Sequence, residues 1–159
     1  MSIKVGERIP EATLNILKDG VQAIESSEFF ADRRVLLFAV PGAFTPTCSA
    51  KHLPGYVDAM DEFRRREITV ACLAVNDAFV MGAWGKSQDA PEDLVMLADG
   101  NGTFTRALGL ELDATGFGMG LRSQRFAMYV DNGVVRKLQV EAPGEFKVSS
   151  AEAMLKAIS

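Results

Sequence analysis

Apolar and polar positions cluster, alternate and pause along the chain in a way that predicts its elements. TLNIL at 13–17 and VQAI at 21–24 flank Lys18, Asp19 and Gly20, so they read as a β-hairpin. SSEFF reads as a short helical turn. RVLLFAV at 34–40 is a nearly uninterrupted apolar run, which predicts a central strand buried on both faces. ITVACLAV at 68–75 and LVMLAD at 94–99 predict two more strands. Between the first two the period changes. Leu53, Tyr56, Val57, Met60 and Phe63 recur at three- and four-residue spacing and give a helix one apolar face. Pro54 is expected to kink this helix or split off its first part. DAFVMGAWGKS predicts a short helix capped by Asp77, and TFTRALGL predicts another that ends near Gly109. Within 125–140, two β-rich runs surround Asn132-Gly133, a strong hairpin signal. SSAEAMLKAI opens on a capping box of Ser149 and Glu152, with Ala151, Met154, Leu155 and Ile158 as its buried face.

The order is hairpin, strand, helix, strand, helix, strand, helix, hairpin, helix. It predicts an α/β fold with a mixed sheet and helices on both faces. At 159 residues the chain suits one domain, 1–159, with one sizeable core.

Charge and composition mostly exclude. Seventeen Lys and Arg stand against 21 Asp and Glu, so nothing resembles a basic nucleic-acid footprint. Arg64-Arg65-Arg66 reads as a solvated helix end, with cations near the C-terminus. MSIKVGERIP lacks the apolar core of a secretory signal. VLLFAV, the longest plainly apolar run, is too short to span a bilayer, so no membrane partner is expected. Two cysteines do not make a disulfide scaffold, and the expected compartment is the cytoplasm with both thiols reduced. A single histidine argues against a zinc site; no metal or cofactor is expected. TGFGMGLRS at 115–123 lacks the lysine of a P-loop. It reads as a close-packed loop near the reacting residues or a subunit surface.

The chemistry concentrates in VPGAFTPTCS at 40–49. With Thr45 as N-cap, Pro46 falls at the first helical position, where a missing amide costs nothing. Cys48 then falls in the first turn, where unpaired amides and the helix dipole favour an anion. A cysteine in such a place ionises more readily than a free thiol. Pro41 and Gly42 end the preceding strand in a tight turn. Four readings remain open on these residues: an unreactive cysteine, disulfide exchange, peroxide reduction and acyl transfer. CSAK has no second cysteine for exchange of the CxxC kind. His52 is the one candidate base for acyl transfer; a helix-face role suits it better, because Pro54 disturbs the shared face.

PGAFTPTCSAKHLPGY resembles the peroxidatic motif of the peroxiredoxins, whose pattern PxxxTxxC is met by Pro41, Thr45 and Cys48. AFTP and HLPGY resemble the type II or type 5 branch, as do VNDAFVMGAWGKS, LADGNGTFTRALGL and LRSQRFAMYVDNG. The similarity spans nearly the whole chain. It implies a thioredoxin-like fold with an N-terminal β-hairpin extension, and thiol-dependent reduction of hydrogen peroxide and alkyl hydroperoxides. It further implies that Cys48 attacks the O–O bond and becomes a sulfenic acid. Thr45 would hold thiolate and peroxide together, Arg125 would place its guanidinium beside both, and Pro41 would shield the sulfur. A homodimer with active-site loops near the interface is implied as well.

Cys72, in ITVACLAV, reads as a small buried hydrophobe. Plant-like members of the branch carry a matching cysteine, assigned as resolving in some. Other type 5 members resolve through a cysteine near the C-terminal helix, where EFKVSSAEAML has only serines. Regeneration by an external thiol is therefore expected, from glutathione with glutaredoxin or from thioredoxin. Two other classes make opposite predictions. A non-catalytic thioredoxin-like binding or chaperone module would show slow Cys48 alkylation and no peroxide loss. A glutathione-linked disulfide reductase would act without peroxide, and the missing CxxC argues against it.

Overall fold

The computed structural model describes residues 2–158. Strands β1 (Thr13–Leu17) and β2 (Val21–Glu25) form the expected hairpin, with Asp19 and Gly20 both at positive φ in the turn. Helix α1 (Ser26–Phe30) follows. The apolar runs become β3 (Arg34–Ala39), β4 (Ile68–Ala74) and β5 (Leu94–Ala98), which pair parallel. Helices α2 (Leu53–Arg65), α3 (Ala78–Ser87) and α4 (Thr103–Leu108) follow them in turn. Asp77 caps α3 by accepting from the Val80 amide at 2.8 Å, and Gly109 ends α4 at φ 73°.

The two-stranded sheet of β6 (Glu111–Asp113) and β7 (Leu121–Ser123) was not legible in the pattern, because three-residue strands carry too little periodicity. Residues 115–123 form the connection of this ribbon and its second strand. Strands β8 (Phe126–Asp131) and β9 (Val134–Val140) then turn at Asn132-Gly133, both with positive φ, and α5 (Ala151–Ala157) closes the chain. The main sheet runs β2-β1-β5-β4-β3-β8-β9.

Because β3 and β4 are buried on both faces, alternate residues enter two cores. Leu36, Phe38, Val70 and Cys72 meet Tyr56 and Phe63 of α2, Trp84 of α3 and Met154 of α5. Val35, Leu37, Ala71 and Leu73 meet Phe29 and Phe30 of α1 and Phe104 of α4. Arg64 pairs with Asp61 and Asp93, while Arg65 and Arg66 pair with Glu62, so the basic run is a solvated, ion-paired helix end.

One cap is displaced. Ser150, not Ser149, caps α5 and accepts from the Ala153 amide at 3.1 Å. The box of Ser149 and Glu152 does not form, because the Ser149 hydroxyl donates to the buried carboxylate of Glu141. No helix among the described residues is long and apolar enough to cross a membrane.

Candidate active site

The cysteine segment begins where β3 stops. Val40 still donates to the Leu73 carbonyl at 3.0 Å; then Pro41 and Gly42 turn the chain. A side chain at Gly42 would meet the end of the Arg122 side chain at 2.7 Å, so the guanidinium lies directly over this turn. The Ala43 amide donates to Asn76 Oδ1 at 2.9 Å, which ties this turn to the start of α3. Arg122 reaches back from β7 to the Pro41 carbonyl at 3.4 Å. Phe44 takes φ 65°, a left-handed conformation rare for a bulky residue.

Thr45 then ends the turn as expected. Its carbonyl accepts the Ser49 amide at 2.9 Å, and the helix opens at Pro46, placing Cys48 in the first turn. Its hydroxyl, however, donates to the Gly42 carbonyl at 2.7 Å. Of the two partners expected at the sulfur, Arg125 is the one that reaches it.

Pro54 shapes the next turn. A proline ring collides with the carbonyl four residues before it and offers no amide. The chain answers with a π-helical turn, Cys48–His52, in which the Leu53 amide bonds the Cys48 carbonyl; the α-helix begins at Leu53. Cys48 and His52 both end up buried on the core side.

Arg125, just ahead of β8, joins them. Nη2 donates to Cys48 Sγ at 3.1 Å and Nη1 to His52 Nδ1 at 2.8 Å. The far ring nitrogen, Nε2, donates to the Ser149 carbonyl at 3.0 Å, which fixes the tautomer. Burial and the facing Arg125 charge push this imidazole down to about 3, so it is neutral near pH 7. A general-base role is excluded, because the one free lone pair of the ring is held by a guanidinium. Phe146 closes the arrangement, with its ring 4.9 Å from His52 and under the Arg125 guanidinium at 5.9 Å.

A cleft of about 370 Å³ opens over this cluster. Pro41, Thr47, Arg125 and Glu141 line it, with Leu112 and Pro143 as apolar members. Cys48 is fully buried, and Arg125 both lines the cleft and touches the sulfur. Cys72 shares a core with Cys48 but is fully buried in the middle of β4, between Phe38 and Met96 on the neighbouring strands. Burial and then the nearby Cys48 push its thiol well above the usual range. It is a core residue by its surroundings. Sequence reasoning missed the surroundings of His52: the Ser149 carbonyl, the Phe146 ring and, behind Ser149, the Glu141 carboxylate. Nothing in the periodicity marks a glutamate after a strand as buried.

Among the described residues, no group of His, Cys, Asp and Glu is suited to hold a metal ion. A buried sulfur at a helix start, held by a guanidinium, on a mixed sheet with helices on both faces, is an arrangement suited to thiol chemistry. The comparisons narrow that chemistry. The Redoxin family model matches residues 4–155. Chloroplastic peroxiredoxin-2E of Arabidopsis thaliana is 48% identical, covering 99% of this chain and 70% of that one. Peroxiredoxin-2C of the same plant is 45% identical over 98% of both chains. The crystal structure of reduced Prx3 from Vibrio vulnificus, in complex with hydrogen peroxide, superposes with a TM-score of 0.95 at 54% identity and covers 99% of each chain. The chain belongs to the redoxin family and, within it, to the peroxiredoxins. It has their thioredoxin-like fold and is a thiol-dependent peroxidase.

Proposed function

We propose that Cys48 is the attacking thiol and Arg125 the group that serves it. The observation that carries this reading is the 3.1 Å contact of Nη2 with Sγ at the edge of the cleft. The thiolate attacks one peroxide oxygen and the O–O bond breaks. Its electron pair leaves on the second oxygen, which departs as water or alcohol after taking a proton, and Cys48 becomes a sulfenic acid. The guanidinium stabilises both the thiolate and the charge growing on the leaving oxygen. The Thr45 hydroxyl, with its proton on the Gly42 carbonyl, presents lone pairs that can accept from a peroxide O–H. Pro41 limits what reaches the sulfur. The apolar Leu112 and Pro143 suit the organic group of an alkyl hydroperoxide, so both hydrogen peroxide and alkyl hydroperoxides are substrates in this reading.

Regeneration falls to an external thiol, with glutathione and glutaredoxin or thioredoxin as reductants. Thiol attack on the sulfenic acid releases water and leaves a mixed disulfide on Cys48, which a second thiol reduces. Burial of Cys72 in a central strand supports this, since a paired strand gives its thiol little freedom to reach disulfide geometry.

The active unit in this reading is a homodimer of one-domain chains in the cytoplasm. Phe44, Phe79 and Phe117 are 56%, 65% and 85% exposed. They lie on segments linked by the Ala43–Asn76 and Arg122–Pro41 contacts. A strained, exposed Phe44 has no use inside one chain and suits the apolar face of a second copy.

The test is peroxide consumption with each reductant system, run on the native protein and on Cys48→Ser, with intact mass after one equivalent of peroxide. Loss of turnover in the variant and a mixed disulfide with glutathione are expected. A rapid Cys48–Cys72 disulfide in native protein would sink the external-thiol reading.

A further inference from the structure

The hydrogen bonds that hold Arg125 continue well past His52. Glu141 follows β9, and its amide donates to the Arg125 carbonyl at 2.9 Å, so the two residues stand side by side at the sheet end. Its side chain is buried, 7% exposed. The carboxylate accepts the amides of Lys147 at 2.9 Å, Val148 at 2.8 Å and Ser149 at 2.8 Å, and the Ser149 hydroxyl at 2.7 Å. Burial raises this carboxyl, but the Ser149 hydroxyl and the three amides outweigh it and hold it below the usual range. Three consecutive residues are thereby pinned to one anion. What this fixes is the Ser149 carbonyl, which accepts from His52 Nε2 at 3.0 Å and from the Tyr56 hydroxyl at 2.8 Å.

We propose that Glu141 is a positioning residue for peroxide reduction, acting through the Ser149 carbonyl and the His52 ring to fix Arg125 over Cys48. The proposal rests on the reading of Cys48 and Arg125 as the reacting pair. The indirect route has a physical purpose. A carboxylate bonded straight to the guanidinium would cancel much of the field that a thiolate and a leaving oxygen require. Here the groups that touch Arg125 Nη1 and orient His52 are a neutral imidazole and a backbone carbonyl. The anion stands beside Arg125 on the backbone, but its oxygens are spent on the amides and hydroxyl of the 147–149 loop, and the cation keeps its charge for the sulfur.

A double-mutant cycle of Glu141→Ala and Arg125→Ala separates this role from a loop staple. Two rates are read at a pH where the ultraviolet thiolate absorbance of each variant is complete. One is reaction with hydrogen peroxide. The other is Cys48 alkylation by iodoacetamide, which needs a thiolate but no clamp on an O–O bond. Glu141→Ala is expected to lose about tenfold or more with peroxide and no more than about twofold with iodoacetamide. In the Arg125→Ala background it is expected to cost less than about twofold further. If Glu141→Ala does not fold, Glu141→Gln keeps the volume and one acceptor, and a smaller loss with the same non-additivity is expected. A wild-type peroxide rate in the variant that folds, or an equal loss with and without Arg125, overturns the role of Glu141. An Arg125→Ala enzyme as fast as the native one overturns the Cys48–Arg125 reading itself, and this proposal with it.

Discussion

In the proposed reading, Arg125 works by geometry as much as by charge. Its two terminal nitrogens hold different partners, His52 Nδ1 and Cys48 Sγ. Arg125→Ala is expected to cut kcat/KM for peroxide by about 10²–10³, the usual scale for losing a donor to a developing anion. Stopped-flow rates should show that loss persisting where the thiol is fully ionised. If it vanishes there, the arginine only tunes ionisation. Arg125→Lys should recover only part, because one ammonium cannot span both partners. Cys72→Ala removes a packed sulfur from the core. It is expected to lower stability by about 1 kcal/mol by urea titration, and to leave turnover within about twofold. At this scale Cys48 and its helix-start position were readable from Thr45 and Pro46, and Arg125 from the wider resemblance. Glu141 and the Ser149 carbonyl were not, because burial of a polar side chain depends on what a distant loop brings to it.

The first turn of the cysteine helix is the element on which chemistry and backbone meet. Pro54 was legible as a disturbance, but not as a π turn. The wider turn keeps the Cys48 carbonyl bonded to the Leu53 amide and lets both Cys48 and His52 face Arg125. Pro54→Ala would allow an ordinary α register. We expect unchanged or slightly raised thermal stability with a lower peroxide rate, since His52 would rotate away from Arg125. Full activity in a variant shown to have lost the π turn would contradict this. Trp84, the single tryptophan, donates to the Ser49 hydroxyl at 3.0 Å beside the buried sulfur. Cys48 is fully buried, so attack by an external thiol, as proposed, requires this turn to open. Mixed-disulfide formation should therefore change Trp84 emission, while addition of peroxide alone changes it less.

Two consequences belong to the whole molecule. His52 is neutral when folded, with its value pushed from 6.5 down to about 3. Above pH 6.5 it is neutral in both states and adds no pH dependence. As pH falls below that, the unfolded chain takes up a proton that the folded one refuses. Stability then falls by up to about 1.4 kcal/mol per pH unit toward pH 3, and levels off below it. Glu62, Asp93, Asp113 and Glu141, all held below the ordinary range, add losses that set in around the normal carboxylate value and grow below it. The slope between about pH 5 and 6 therefore belongs to His52. Urea unfolding of His52→Gln should show it flattened; an unchanged slope would place the titrating group elsewhere. The second rests on the proposed homodimer. Phe79→Asp, on the exposed side of α3, is expected to shift sedimentation toward the monomer while leaving the fold intact by circular dichroism. An unaltered dimer would move the interface off the Phe44, Phe79 and Phe117 face.

The sequence by itself determined the main strands and helices. Double-sided strands, an amphipathic helix, an Asn-Gly turn and an Asp cap follow from stereochemistry and burial periods of a few residues. It also determined that a cysteine would stand in a helical first turn, since Thr45 and Pro46 set that locally. Only the tertiary structure decided what the cysteine meets. Arg125 lies 77 residues from Cys48 in sequence, and Ser149 lies 97 from His52. Those contacts exist because β3 and β8 are neighbours and α5 folds back over α2. Polar networks of this kind have no period to read. Each member is placed by the packing of a separate element, and the sum is fixed only when all of them dock at one end of the sheet.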